Sequence, residues 1–189
     1  MTQPEWRIRT AQARDRDLLA SFICADPVVN WQVEVEQFIR KHLLDGWALA
    51  PGAVDDDPRL LLAFTATGEL FGVAAHERQF LQGGSGVRFA ATKLEVAAVS
   101  KPWQGRRFGS GARASDVLMS AVMTDVASRV PPRDARVFAI IHEDNHRSLA
   151  LCRRHGLVQE MTRPHPEYRR LVTAHRASLQ RKTPSGSAD

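Results

Sequence analysis

The chain has 189 residues, 25% of them charged and 43% hydrophobic, a balance that fits one well-buried folded domain and is short for two. No apolar run reaches the roughly eighteen residues of a membrane span, and Met1-Thr-Gln-Pro-Glu-Trp has no signal-peptide pattern, so a cytoplasmic protein is expected. The net charge of +5 permits attraction to a polyanion without requiring it, while the spacing of Cys24, Cys152 and the scattered histidines argues against a disulfide framework and a metal site.

Glu5-Trp-Arg-Ile-Arg-Thr10 alternates as a half-buried strand does, and Leu18 to Ile23 then reads as a short helix. Asp26-Pro27 interrupts the chain, after which Trp31, Val35, Phe38, Ile39 and Leu43 recur at helical spacing up to Gly46. That stripe predicts core first and a substrate-pocket wall second. Pro51 to Pro58, with Asp55, Asp56 and Asp57, reads as an exposed acidic turn. Leu60 to Thr65 and Glu69 to Ala75 form a hairpin turned at Thr67-Gly68, and His76, Glu77 and Arg78 at its far end are rim residues or acceptor contacts. Gln82 to Gly86 is the next loop, leading through Val87-Arg-Phe-Ala-Ala to a central strand, Leu94 to Val99.

Trp103-Gln-Gly-Arg-Arg-Phe-Gly-Ser-Gly111 follows that strand and opens into a predicted helix from Ser115 to Ala127, where Val117, Leu118, Ala121, Val122 and Val126 keep helical spacing. Such a turn gathers unpaired backbone N–H groups at the positive end of a helix dipole, which suits a phosphate or pyrophosphate. Gly105, Gly109 and Gly111 let the backbone approach an anion, and Arg106 and Arg107 add charge. The Gly-Lys-Ser/Thr of nucleotide hydrolases and the Gly-x-Gly-x-x-Gly of dinucleotide-binding domains are both absent from it.

Pro131-Pro132 stops the helix, and Ala135 to Ile141 is a strongly apolar strand. In the segment Asn145 to Leu157, Asn145 is a good N-cap and Gly156 a good residue just past the helix end. Helical geometry puts Ser148 and Cys152 near the face of Asn145. Val158 to Thr162 and Tyr168 to Val172 read as the last two strands, giving one domain over 1–175 and a polar, disordered tail over 176–189.

Gln104 and Gly109 after the Leu-Glu-Val-Ala-Ala-Val strand, together with the Asn145 to Leu157 segment, resemble the two recurring blocks of the GCN5-related N-acetyltransferases (GNAT family). Where that family has a middle glycine in the loop, this chain has Arg107, whose side chain must point away from the ligand. The resemblance implies an α/β fold with a mixed, mostly antiparallel sheet flanked by helices, its central strands splayed to admit the pantetheine arm of acetyl-CoA. It further implies that Ala97, Ala98, Val99, Gln104, Gly105, Arg106, Arg107, Phe108, Gly109, Ser110, Asn145 and Ser148 hold that cofactor. The acceptor is then a primary amine on a small molecule or protein. A toxin of the same fold acting on aminoacyl-tRNA is the runner-up, and an acyl-CoA-binding sensor that has lost turnover is a third reading. A homodimer is left open.

Direct attack by an amine on a thioester needs a route for the amine's proton, a donor to the carbonyl oxygen and an acid for the departing thiolate. Glu95 is the candidate base, acting through water, with an ion pair to Lys93 as the structural alternative. By period two it shares a face with Ala97 and Val99, opposite Leu94, Val96 and Ala98, if no bulge intervenes. Backbone N–H groups around Ala97 to Val99 would polarise the carbonyl. Cys152 stands where the family commonly carries a Tyr acid; its thiol, ordinarily near about 8.5, is shorter, and a buried small side chain is its alternative role.

Overall fold

The computed structural model of the chain describes residues 4–25, 30–40, 58–82, 86, 88–129, 136–160 and 171–176. Asp55 to Asp57 and the tail from 177 lie outside the described residues, as does the side chain of Trp31. Within them the strands are β1 (Trp6–Thr10), β2 (Arg59–Thr65), β3 (Leu70–Gln82), β4 (Arg88–Val99), β5 (Val137–His142), β6 (Val158–Glu160) and β7 (Leu171–Arg176). The helices are α1 (Arg16–Ala20), α2 (Asn30–Gln37), α3 (Ala114–Arg129) and α4 (His146–Arg154). The last strand runs to Arg176 rather than ending at Val172, and α1 stops three residues before Ile23.

The strands form one open sheet in the order β1-β2-β3-β4-β5-β7-β6, antiparallel except where β4 meets β5. Each face has its own core, because every strand that alternates side chains supplies both. One face packs α3 and α4 through Phe71, Ala74, Leu94, Leu118, Val122, Val137, Leu149 and Leu157; the other gathers Leu19, Phe22, Ile39, Leu62, Val73 and Val96. In β1 the alternation is read directly: Trp6 and Ile8 pack against the α3 side, whereas Arg7 and Arg9 lie over the Phe64 ring at 5.2 and 4.8 Å. Arg9 continues into a bidentate bond with buried Asp15, both contacts 2.6 Å, tying the strand to the turn that starts α1.

Two irregularities set up the centre of the sheet. His76 pairs with Leu94 and Ala75 with Val96, so Glu95 is an extra residue on β4, a β-bulge. The bulge corrects the face assignment made from strict alternation: Leu94 joins the α3 core along with Ala97 and Val99, while Val96 and Ala98 face the α1 side. Glu95 turns with Lys93, to which it is ion-paired at 2.7 Å. The second irregularity is between β4 and β5. Their parallel pairing covers only Thr92↔Val137, Lys93↔Phe138 and Leu94↔Ala139, yet β4 runs on to Val99 and β5 to His142. Beyond Leu94 the two strands part, and the sheet opens as expected.

His76 is not a rim residue. It is fully buried on the α3 face, its Nε2 3.1 Å from Asp125 Oδ2, and Arg59 holds the other carboxylate oxygen at 2.9 Å. Burial pushes the Asp125 carboxyl up, but His76 and the bonded Arg59 beside it outweigh that and hold the group far below the usual carboxylate range.

Candidate active site

The parting of β4 and β5 leaves Glu95 to Val99 along one wall of an opening, with α4 following the other wall. At its head, Ser100 ends β4 and a single 3₁₀ turn, Lys101–Trp103, delivers Gln104. The Gln104 amide is a junction. Its Nε2 donates to the Val99 carbonyl at 3.2 Å and also to the Cys24 carbonyl, while Arg147 of α4 donates to its Oε1 at 3.2 Å. The end of β4, the segment after α1 and the first turn of α4 therefore meet on one side chain. The segment after α1 is held from its other side as well, since Glu36 accepts from the N–H groups of Cys24 and Ala25 at 3.0 and 2.9 Å.

Gly105 has φ +75, a dihedral that favours glycine, and an added Cβ there would meet nothing within 4 Å. That open space, flanked by exposed Arg106 and Arg107, suits an anionic group. The chain does not enter the helix directly. Residues 107–113 form a small hairpin, closed by the Arg107↔Arg113 bridge and by the bond from Ala114 N to Arg106 O at 3.2 Å. Helix α3 thus begins at Ala114, five residues after Gly109. Phe108 is buried in an aromatic cluster, 4.7 Å from Trp6, 5.2 Å from Phe71 and 5.0 Å from Trp103. Arg107 bends back to the Gly111 carbonyl at 2.6 Å. The N–H of Ser110 donates to the Glu5 carboxylate, 3.2 Å from each oxygen.

On α4, Asn145 is the N-cap, its Oδ1 accepting from Ser148 N at 3.1 Å. Gly156 has φ +76 and ends the helix, with Leu157 N bonded to the Cys152 carbonyl at 3.0 Å. Asn145 and Ser148 are half-buried, but Cys152 is only 3% exposed and packed among core residues, and burial pushes its thiol up to about 11. Of the residues singled out in the sequence, the structure brings Glu95, Ala97, Ala98, Val99, Gln104 and Gly105 to the opening's first wall and head, with Asn145 and Ser148 on the helix behind its second wall. Phe108 and Cys152 are in the core, and Ser110 faces Glu5. Sequence reasoning placed Glu5 in a strand and Arg147 in a helix but gave neither a role at the loop, to which only the folded chain brings them.

No family model matches the chain, and no curated protein sequence does. Solved structures do. RimL, a ribosomal L7/L12 α-N-protein acetyltransferase solved with coenzyme A, superposes with a TM-score of 0.63 at 19% identity, covering 93% of this chain and 96% of its own. An acetyltransferase of the GNAT family from Streptococcus pneumoniae gives 0.53 at 20% identity, over 93% and 100% of the two chains. A bacterial toxin gives 0.63 at 17% identity, over 91% and 90%. With the parted strands, the loop and the capped α4 already in place, these likenesses identify the fold: the chain has the fold of the GNAT acetyltransferases.

Proposed function

We propose that the protein is an acyl-CoA-dependent N-acetyltransferase that takes its acetyl group from acetyl-CoA and passes it to a primary amine in a ternary complex. One observation carries this reading: a parallel strand pair that closes for three residues and then opens directly beneath a glycine turn with free space at Gly105. The cofactor's phosphates would lie on the Gln104 to Arg107 backbone, with Arg106 and Arg107 supplying charge, and its acylated arm would run along Ala97 to Val99 beside Asn145 and Ser148. Bound there, acetyl-CoA supplies a thioester carbonyl open to attack.

The chain's own groups divide the remaining work. N–H groups of β4 that lost their partner on β5 can donate to the carbonyl oxygen. Glu95 accepts the amine's proton through water, with Lys93 ion-paired to it at 2.7 Å. Cys152 is a poor acid at about 11, so its place in this reading is packing, and the thiolate's proton comes from water. Calorimetry with CoA tests the assignment: micromolar binding is expected, weakened at least tenfold in Arg106→Ala/Arg107→Ala. No binding by the folded protein would overturn it.

A second reading has its own support in the toxin likeness and the charge of +5. In it the amine belongs to an aminoacyl-tRNA. Growth arrest on expression, relieved by Glu95→Gln, would favour it over a small-molecule or protein acceptor.

A further inference from the structure

We propose that Glu5 is a positioning residue for the cofactor loop, its carboxylate being the anion that the tip of the 107–113 hairpin is built to hold. The inference rests on the acyl-CoA reading of that loop. Ser110 N donates to both carboxylate oxygens at 3.2 Å, and the surrounding Ser110 side chain and the Ser110 and Gly109 backbone hold the carboxyl below its usual pKa range. The approach is close: a Cβ on Gly109 would stand 2.8 Å from Glu5 Oε1, so a side chain there would displace the carboxylate from the tip.

The adjacent residue completes the brace. Trp6 packs its ring against Phe108 at 4.7 Å, so consecutive side chains grip one hairpin, one by its apolar root and one by its polar tip. The grip lies on the β1 flank of α3, where Trp6, Ile8 and Ala112 line a groove of about 400 Å³ with Val117 and Ser120. In the sheet order β1 is three strands from β4, roughly 14 Å at ordinary strand spacing, and the opening lies beyond β4. A ligand in the opening and the Glu5 carboxylate therefore use different parts of the loop. By holding the tip, Glu5 steadies the hairpin whose base, where the Arg106 carbonyl meets Ala114 N, adjoins the phosphate-facing backbone.

The test compares wild type, Glu5→Gln and Glu5→Ala, using CoA as the calorimetric probe, initial rates with acetyl-CoA and backbone hydrogen exchange. Expected are a CoA affinity about tenfold weaker in Glu5→Ala and intermediate in Glu5→Gln, a matching rise in the KM for acetyl-CoA, and an unchanged kcat. Exchange at Arg106 to Ala114 should quicken about tenfold while the protein's melting temperature holds. Unchanged affinity would overturn the proposal, and tighter binding would too, since it would make the carboxylate a competitor of the cofactor. If the wild type binds no CoA, the acetyltransferase reading fails by itself; exchange then decides the brace, supported by faster exchange in Glu5→Ala and refuted by equal rates.

Discussion

Two thiols and one carboxylate show how placement, rather than residue type, sets chemistry. Cys152 is pushed to about 11 by burial, and Cys24 to about 12 by burial and then by the nearby Glu36 charge. Both pKa values are raised, so the folded chain keeps protons that the unfolded chain releases above about 8.5. The stability this confers is complete below that pH and is lost as pH rises through about 11 and 12. At pH 8 the native protein should react with a thiol reagent at least a hundredfold more slowly than the denatured protein; fast labelling of either cysteine in the native state would contradict the packed placement. Cys152→Ala should cost about 1–2 kcal/mol of stability, read from denaturant midpoints, and keep turnover within about threefold. Glu95 is the opposite case, only half-buried and at a bulge beside the opening. Glu95→Gln is expected to lower kcat by about a hundredfold with a melting temperature within about 2 °C, measured with whichever amine the enzyme accepts; the reverse pattern would make the Lys93 pair structural only.

At the level of elements, β2 and β3 are tied to α3 by a cluster of ionisable side chains. Arg59, His76 and Asp125 join two strands to the helix through one carboxylate, and the carboxylate's pKa is depressed. A depressed pKa means that this contribution is present above the unfolded value near about 3.9 and declines as pH falls through the lower folded value. Asp125→Asn should cost about 2–3 kcal/mol at pH 7, below the full figure for a buried pair because Asp125 keeps some water access, and should flatten the acid limb of the stability profile. Urea titrations from pH 3 to 7 measure both. The elements themselves were largely legible: alternation at Trp6 to Thr10, the Thr67-Gly68 turn, and the Asn145 and Gly156 caps are local signals, each carried by one or two residues whose physics needs no tertiary partner. What was not legible depends on pairing. The bulge at Glu95 exists because β3 and β4 hold a register set elsewhere, so strict period two put Glu95 on the wrong side of its strand. The 107–113 hairpin was hidden for the same reason, since Phe108 takes its place from Trp6, Phe71 and Trp103, which are scattered through the sequence. Gly105 and Gly111 do use positive φ, as their type suggested, whereas Gly109 has no positive φ and is approached instead by a side chain from the start of the chain.

For the molecule as a whole, the single amide of Gln104 contacts three segments: the carbonyl that ends β4, the Cys24 carbonyl after α1, and Arg147 on α4. The segment after α1 borders the face that carries Glu95, whereas the loop and α4 border the face proposed for the cofactor, so on the acetyltransferase reading one side chain touches the surroundings of both reactants. Such an arrangement makes the two binding equilibria heterotropic: whatever the cofactor does to the affinity for the amine, the amine must do to the cofactor by the same factor. The expected coupling is about fivefold, measured as the change in CoA affinity at saturating acceptor, and Gln104→Ala should bring that factor towards one even if each ligand still binds alone. An undiminished factor in the variant would mean that the two equilibria communicate by another route. On the acetyltransferase reading, a factor near one in the variant would make the cooperative loading of the two ligands a property of one glutamine side chain, removable by a substitution that touches neither reacting group.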